Sequence, residues 1–102
     1  MKLKKGVSLT GIQPEIMVAL LMITAEVGGD FVVTSVTDSA PGRVPNSLHP
    51  FGMAVDIRIP EEEDFTYLPP RDWKERVKLL FVDTDFDVVF YDEHVHIEYD
   101  PK

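Results

Sequence analysis

The three histidines of this sequence are the side chains best suited to metal chemistry. His49 precedes Asp56 by seven residues, while His94 and His96 occupy alternate positions in a later segment. A straight strand rises about 3.3 Å per residue and would hold His49 and Asp56 far apart. Gly52 lies between them and allows a bend. A turn at this glycine would bring the imidazole and the carboxylate together.

Two segments with alternating apolar residues predict the strands that position the other candidate ligands. In residues 53–59, Asp56 falls on the face opposite the apolar side chains, and in residues 94–99, His96 does the same. If these strands pair, Asp56 and His96 lie side by side. With His49 they offer two imidazole nitrogens and one carboxylate oxygen.

This donor set is typical of catalytic zinc sites, which leave the fourth ligand position to water. Water bound there is polarised and more acidic. A simpler explanation exists for each part, because a His and an Asp seven residues apart occur by chance and alternate histidines can form a solvent-facing polar stripe. The placement of all three histidines in these two segments favours the metal site.

Composition excludes several other classes of function. Eighteen acidic and ten basic residues give a net charge of -8, which argues against nucleic acid as a partner because such surfaces gain affinity by counterion release. Cysteine is absent, so disulfides, thiolate ligands and thiol nucleophiles are excluded. We expect the acidic run at 61–64 and Glu98 to lie on the surface.

Two helices are expected from their boundary residues. The first begins at Pro14 and ends at Gly28 and Gly29, because proline suits the first helical position and glycine the C-terminal end. The second follows Pro69 and Pro70. Its apolar stripe, which we expect to be core, is Trp73, Val77, Leu80 and Phe81.

The strands are expected at 31–36, 53–59, 88–91 and 94–99, with a long loop at 38–50. The last two strands are separated by two acidic residues, a spacing that suits a tight hairpin. The order of elements lacks regular βαβ alternation. We therefore expect one small α+β domain over residues 1–102, with a mostly antiparallel four-stranded sheet and two packed helices.

The beginning of the sequence imitates a secretory signal, since Lys2, Lys4 and Lys5 precede an apolar run at 16–25. A polar stretch separates the lysines from that run, and the run is too short to span a bilayer. We expect no signal peptide, no membrane insertion and synthesis in the cytoplasm.

Two motifs resemble a known family. Residues 47–56, SLHPFGMAVD, resemble the S-x-H-x-x-G-x-A-x-D signature of zinc D-alanyl-D-alanine carboxypeptidases and of the related phage L-alanyl-D-glutamate endopeptidases. Residues 93–96, EHVH, resemble the family's E-x-x-H and the H-x-H of the wider group that includes lysostaphin-type peptidases and the hedgehog signalling domain. The resemblance covers the second half of the chain. It implies the hedgehog and D-Ala-D-Ala peptidase fold and zinc-dependent cleavage of peptidoglycan peptides.

The resemblance also implies roles for individual residues. His49, Asp56 and His96 would bind zinc (Zn2+), and Glu93 would be the general base and then the general acid. His94 would orient the water or bind the oxyanion. Strict alternation puts Glu93 on the face opposite His96, so its role requires a position in the turn before the strand. If Glu93 points away, His94 becomes the better candidate for the base.

One family residue has no counterpart at its usual place. The family's arginine, which stabilises developing negative charge, follows a strand that ends in Ser-Gly, whereas residues 34–38 here read TSVTD. Arg43, farther along the same loop, could replace it. A loop arginine is, however, more often a solvated surface residue.

Three functions remain open from the sequence. The favoured one is a phage-related zinc peptidase that cuts the peptide moiety of peptidoglycan, as a D-Ala-D-Ala carboxypeptidase or an endolysin-type endopeptidase, released to the cell wall by lysis machinery or carried in a virion. The alternative is a zinc-bearing binding or virion structural module without turnover, which the missing arginine favours. A plain α+β scaffold without metal would make both motifs coincidences.

Overall fold

The computed structural model describes residues 1–29, 31–36, 53–61 and 68–101. These residues form a compact α+β domain with two helices and five strands. In chain order the elements are β1 (Lys2–Leu3), α1 (Pro14–Val27), β2 (Val32–Ser35), β3 (Ala54–Arg58), α2 (Pro70–Leu80), β4 (Phe86–Phe90) and β5 (His94–Tyr99). The expected α+β class is confirmed.

The sheet has five strands in the order β1-β2-β3-β5-β4 and is mixed. β1 runs parallel to β2, whereas the other three pairings are antiparallel. The prediction of four strands was therefore wrong by one. β1 was missed because its two residues are too few to show alternation, and backbone contacts hold it: the amides of Lys2 and Lys4 donate to the carbonyls of Phe31 and Val33 at 2.8 and 2.9 Å.

The boundaries of α1 follow from its end residues, as expected. Pro14 occupies the first turn and Glu15 places a carboxylate at the positive end of the helix dipole. Gly28 adopts a φ of 87°, a conformation that favours glycine, and its amide donates to the carbonyl of Thr24 at 3.0 Å. The buried face is formed by Ile16, Ala19, Leu20, Ile23 and Val27.

The second helix packs its apolar stripe into the same core. Trp73 and Val77 are buried on α2, and Phe81 is buried directly after it. Trp73 is therefore a core residue, as its helical spacing predicts. Among the described residues, no helix is long and apolar enough to cross a membrane.

One face of the sheet completes the core with residues of the central strands. β3 contributes Val55 and Ile57, and β5 contributes Val95 and Ile97, all of them fully buried. β3 is less exposed than the half-buried strand that its alternation predicts, because Ala54 and Asp56 on its other face are also buried. The face of β3 opposite the core is thus also shielded from solvent at Ala54 and Asp56.

The last two strands form the expected hairpin. Tyr91 donates its amide hydrogen to the carbonyl of His94 at 2.8 Å across the turn. β4 and β5 then pair from Phe90 with Val95 to Phe86 with Tyr99. This register leaves β5 between β3 and β4, so its polar side chains face neighbours on both sides.

Candidate functional site

The pairing of β3 with β5 brings Asp56 and His96 together, as the alternation of the two segments predicts. The two residues are direct partners in the antiparallel register, where opposite side chains approach closely. His96 Nδ1 lies 2.8 Å from Asp56 Oδ1. Their side chains are only 16% and 12% exposed, so water competes weakly for this contact.

The other imidazole nitrogen of His96 contacts a second carboxylate. His96 Nε2 lies 2.7 Å from Glu98 Oε1, and the Glu98 side chain is 25% exposed. The expectation that Glu98 is a surface residue was therefore wrong. Alternation places His96 and Glu98 on one face of the strand, but the contact itself depends on the direction of the imidazole.

The two carboxylates change the protonation of His96. The pKa of His96 is raised above its ordinary value, chiefly by the hydrogen bond to Asp56, with the contact to Glu98 adding to the effect against the opposing effect of burial. When the ring is protonated, it can donate Nδ1–H to Asp56 and Nε2–H to Glu98.

Asp56 and His96 lie close enough together to share a metal ion. A tetrahedral zinc with bonds of about 2.0 Å to nitrogen and oxygen holds its ligands roughly 3.3 Å apart. The 2.8 Å between His96 Nδ1 and Asp56 Oδ1 would have to widen by only about half an ångström. Glu98 would keep its contact with Nε2, an arrangement of carboxylate, imidazole and metal that recurs at protein metal sites.

Two predicted site residues lie outside the described residues. His49, the third expected ligand, and Arg43, the expected replacement for the family arginine, fall within residues 37–52. Their places at the site stay predictions.

A cavity of about 220 Å³ lies over the polar face of the sheet beside Asp56. Its lining is formed by Lys4, Thr34, Asp56, Arg58, Glu93 and His94. The cavity is lined by the candidate ligand Asp56, the candidate base Glu93 and His94, the candidate for orienting the water or binding the oxyanion.

Glu93 lies in the turn that precedes β5, where the alternation of the strand has not begun. Its carbonyl accepts a hydrogen bond from the amide of Ile59 at 2.9 Å, which fastens the turn to the end of β3. This anchoring places Glu93 on the same cavity as Asp56. The proposed role of Glu93 as base requires a position in the turn before the strand, and Glu93 has that position.

His94 is held by an aromatic neighbour. Its ring stacks on that of Tyr91, with centroids 4.7 Å apart and planes inclined by 13°. His94 also pairs with Arg58 in the β3–β5 register. The stacking contact restrains the orientation of the His94 imidazole. His94 also lines the cavity.

Sequence reasoning missed the two cations of the cavity. Arg58 follows Asp56 by two residues and so shares its face of β3, a signal that alternation contains. Lys4 reaches the cavity because β1 carries the first residues of the chain along β2, which nothing in the sequence pattern indicates. In the part of the chain that the structure describes, neither side chain forms an ion pair.

A bulge in β2 lies opposite Asp56. The register shifts between Val33, which pairs with Ile57, and Ser35, which pairs with Asp56. Bulges re-aim side chains and are frequent beside active sites. The hydroxyl of Thr34, the residue between the two, lies 3.4 Å from the carbonyl oxygen of Asp56. This polar contact fastens β2 to the backbone of the candidate ligand.

A second group of carboxylates adjoins the site. One oxygen each of Asp87, Glu98 and Asp100 lies within 4.8 Å of the others. Asp87 is the register partner of Glu98 on β4. Glu98 thus belongs both to this acidic group and to the contact with His96.

No protein-family model matches the chain, and neither the curated proteins nor the solved structures contain a significant match to it. The function of the site is therefore inferred from its own residues and motifs.

Proposed function

We propose that the protein is a zinc-dependent peptidase that hydrolyses an amide bond in the peptide part of bacterial peptidoglycan. The observation that carries the proposal is the 2.8 Å approach of His96 Nδ1 to Asp56 Oδ1 across β3 and β5. The two residues belong to separate motifs that both resemble the zinc D-alanyl-D-alanine peptidases. His49 completes the ligand set in this proposal.

The burial of the pair distinguishes it from a surface ion pair and is compatible with a metal site. Asp56 is 8% exposed, and a buried carboxylate is retained only when it is paired, hydrogen-bonded or bound to a metal. Zinc bound here would acidify a water molecule and polarise the substrate carbonyl. The protein's contribution is to hold the ligands, move the proton and stabilise the developing charge.

Glu93 is the residue that moves the proton in this mechanism. Its carboxylate, on the same cavity as Asp56, takes a proton from the attacking water as the new carbon–oxygen bond forms. It then delivers a proton to the amine nitrogen as the carbon–nitrogen bond breaks. The hydrogen bond from the amide of Ile59 to the carbonyl of Glu93 holds the backbone of this residue beside the end of β3.

Positive charge on the cavity stabilises the oxyanion. Arg58 and Lys4 line the cavity and take the role of the arginine that the family places after its Ser-Gly strand. Preorganised donors of this kind lower the barrier because they meet charge that develops only in the transition state. Arg43 remains a further candidate for the same role.

The alternative is a zinc-bearing module without turnover, such as a virion structural component. The absence of the family arginine from residues 34–38 favours it. Such a module would keep the metal ligands and the contact between His96 and Glu98, but it would have no use for the carboxylate of Glu93.

Metal content and turnover on the purified chain test the proposal. We expect close to one equivalent of zinc after titration and release of new amino groups from peptidoglycan or from D-alanyl peptides. Less than about a tenth of an equivalent, with no uptake on titration, would remove both metal-dependent functions. Zinc uptake without release of amines from any of these substrates would favour the structural module.

A further inference from the structure

We propose that Glu98 is a positioning residue that presents Nδ1 of His96 to the metal. The inference rests on the proposed zinc site and assigns a role to a residue outside its ligand set. The geometry that carries it is the double contact of one imidazole: Nδ1 is 2.8 Å from Asp56 Oδ1, and Nε2 is 2.7 Å from Glu98 Oε1.

The chemistry of imidazole makes this double contact selective. A neutral ring carries a proton on one nitrogen and a lone pair on the other, and only the lone pair can bind a metal. When a metal takes the lone pair of Nδ1, the ring proton lies on Nε2, and Glu98, 2.7 Å from Nε2, accepts a hydrogen bond from it. Nδ1 is the nitrogen that faces Asp56, the neighbouring ligand. Glu98 thus stabilises the tautomer that the site needs.

The same contact fixes the orientation of the ring. Without an acceptor at Nε2, the imidazole of His96 can turn about its bond to Cβ, and Nδ1 then leaves the direction of Asp56. The side chains of His96 and Glu98 are 16% and 25% exposed, so the bond between them is partly shielded from water. A shielded bond to a carboxylate is stronger than one at the surface.

Glu98 is itself held in place from both sides. Its register partners are Ala54 on β3 and Asp87 on β4, which makes its backbone part of the sheet interior rather than an edge. The carboxylates of Asp87 and Asp100 lie within 4.8 Å of its own.

The effect expected from losing the contact is a weaker metal site. Removing a carboxylate that supports a metal-binding histidine costs about 10- to 100-fold in metal affinity. Glu98→Ala should show this loss. Glu98→Gln keeps an acceptor oxygen for Nε2–H and should restore most of the affinity, which a purely electrostatic role of Glu98 would not allow.

The test measures zinc dissociation constants by competition with a chromophoric chelator for the wild-type chain, Glu98→Ala and Glu98→Gln. Asp100→Asn is the matched control, because it removes one charge from the same acidic group and leaves His96 untouched. We expect a large loss for Glu98→Ala, recovery for Glu98→Gln and little change for Asp100→Asn. Equal affinity of Glu98→Ala and the wild type would overturn the inference, as would equal losses in Glu98→Gln and Glu98→Ala.

A spectroscopic measurement keeps the inference testable if Glu98→Ala fails to fold. Long-range nitrogen–proton NMR of the zinc-loaded wild type should show a protonated Nε2 and a metal-bound Nδ1 for His96. A metal-bound Nε2 would overturn the inference while leaving the zinc site intact. A wild-type chain that binds no zinc would instead overturn the proposed function, so the two failures are distinguishable.

Discussion

His96 Nδ1 and Asp56 Oδ1 lie 2.8 Å apart although forty positions separate the two residues in the chain. The approach follows from sheet register, since the two residues are partners in the antiparallel pairing of β3 and β5. Apolar side chains on the other face fix that register, because a slip of one residue would expose Val55, Ile57 and Ile97 to water. The hydrophobic core therefore determines where the candidate ligands meet.

The first prediction concerns the removal of the His96 imidazole. His96→Ala should abolish tight zinc binding and the stabilisation that zinc gives. Free zinc at 100 times its dissociation constant stabilises the folded state by about 2.7 kcal/mol, which raises Tm by roughly 10–20 °C in a domain of this size. Thermal unfolding with and without zinc measures the difference. His94→Ala is the control, and we expect it to keep the zinc-dependent rise in Tm.

A second prediction concerns the metal-free protein and pH. The pKa of His96 is raised by its hydrogen bond to Asp56, assisted by Glu98. Folding thus favours the protonated ring, and the stabilisation is fully present below the ordinary histidine pKa of about 6.5. It is lost as the pH rises through the higher value of the folded state.

Urea unfolding in the presence of a chelator, at pH values below and above this window, measures that loss. We expect a lower free energy of unfolding on the alkaline side for the wild type. His96→Gln removes the titrating group and should flatten the dependence. A wild-type protein with the same dependence as His96→Gln would show that the pairing with Asp56 and Glu98 contributes nothing to stability in this pH range.

The third prediction separates metal binding from proton transfer. Glu93→Gln removes the proposed base without changing the ligands Asp56 and His96, so zinc content should stay the same. Turnover should fall by about 10²- to 10⁴-fold, the usual contribution of a general acid–base group. Metal analysis and amine release from the same preparation measure both quantities.

Asp92→Asn is the matched control for Glu93. Asp92 occupies the same turn, is exposed and does not line the cavity beside Asp56. It should keep full turnover and zinc. If Glu93→Gln retains wild-type turnover, the base is a different residue, and His94, which lines the same cavity and stacks on Tyr91, becomes the candidate to replace next.

Sequence patterns determined the strands near the site because those strands combine alternation with sufficient length. β5 begins at His94 and ends at Tyr99, as its six alternating residues predict. β1 has two residues and no period to detect, so the arrival of Lys4 at the cavity was not predictable. Its position depends on backbone hydrogen bonds to β2, which carry no side-chain signature.

The sequence identified the site residues that belong to recognisable motifs. It did not identify those whose place at the site depends only on three-dimensional geometry. Asp56 and His96 belong to recognisable motifs, and their pairing followed from two alternating segments. Glu98 was read as a surface carboxylate because its contact depends on the direction of an imidazole, which spacing alone does not give. Arg58 was missed because alternation predicts which face of β3 it occupies but does not predict a cavity over that face.

The last prediction concerns Arg58 as the positive charge of the site. It lines the cavity with Asp56 and Glu93, and no ion pair holds it elsewhere among the described residues. Arg58→Ala should therefore lower kcat by about 10²- to 10³-fold, the effect of removing one oxyanion donor, with zinc content unchanged. Arg71→Ala, an exposed arginine on α2, should leave kcat as it is.

Arg58→Lys distinguishes charge from geometry at this position. Lysine keeps the charge but cannot present the two parallel donors of a guanidinium. Partial recovery of kcat by lysine would indicate that charge alone stabilises the transition state, whereas no recovery would indicate a bidentate contact. If Arg58→Ala and Arg71→Ala both keep full turnover, Arg58 has no part in the reaction, and the oxyanion must be stabilised by Lys4, His94 or Arg43.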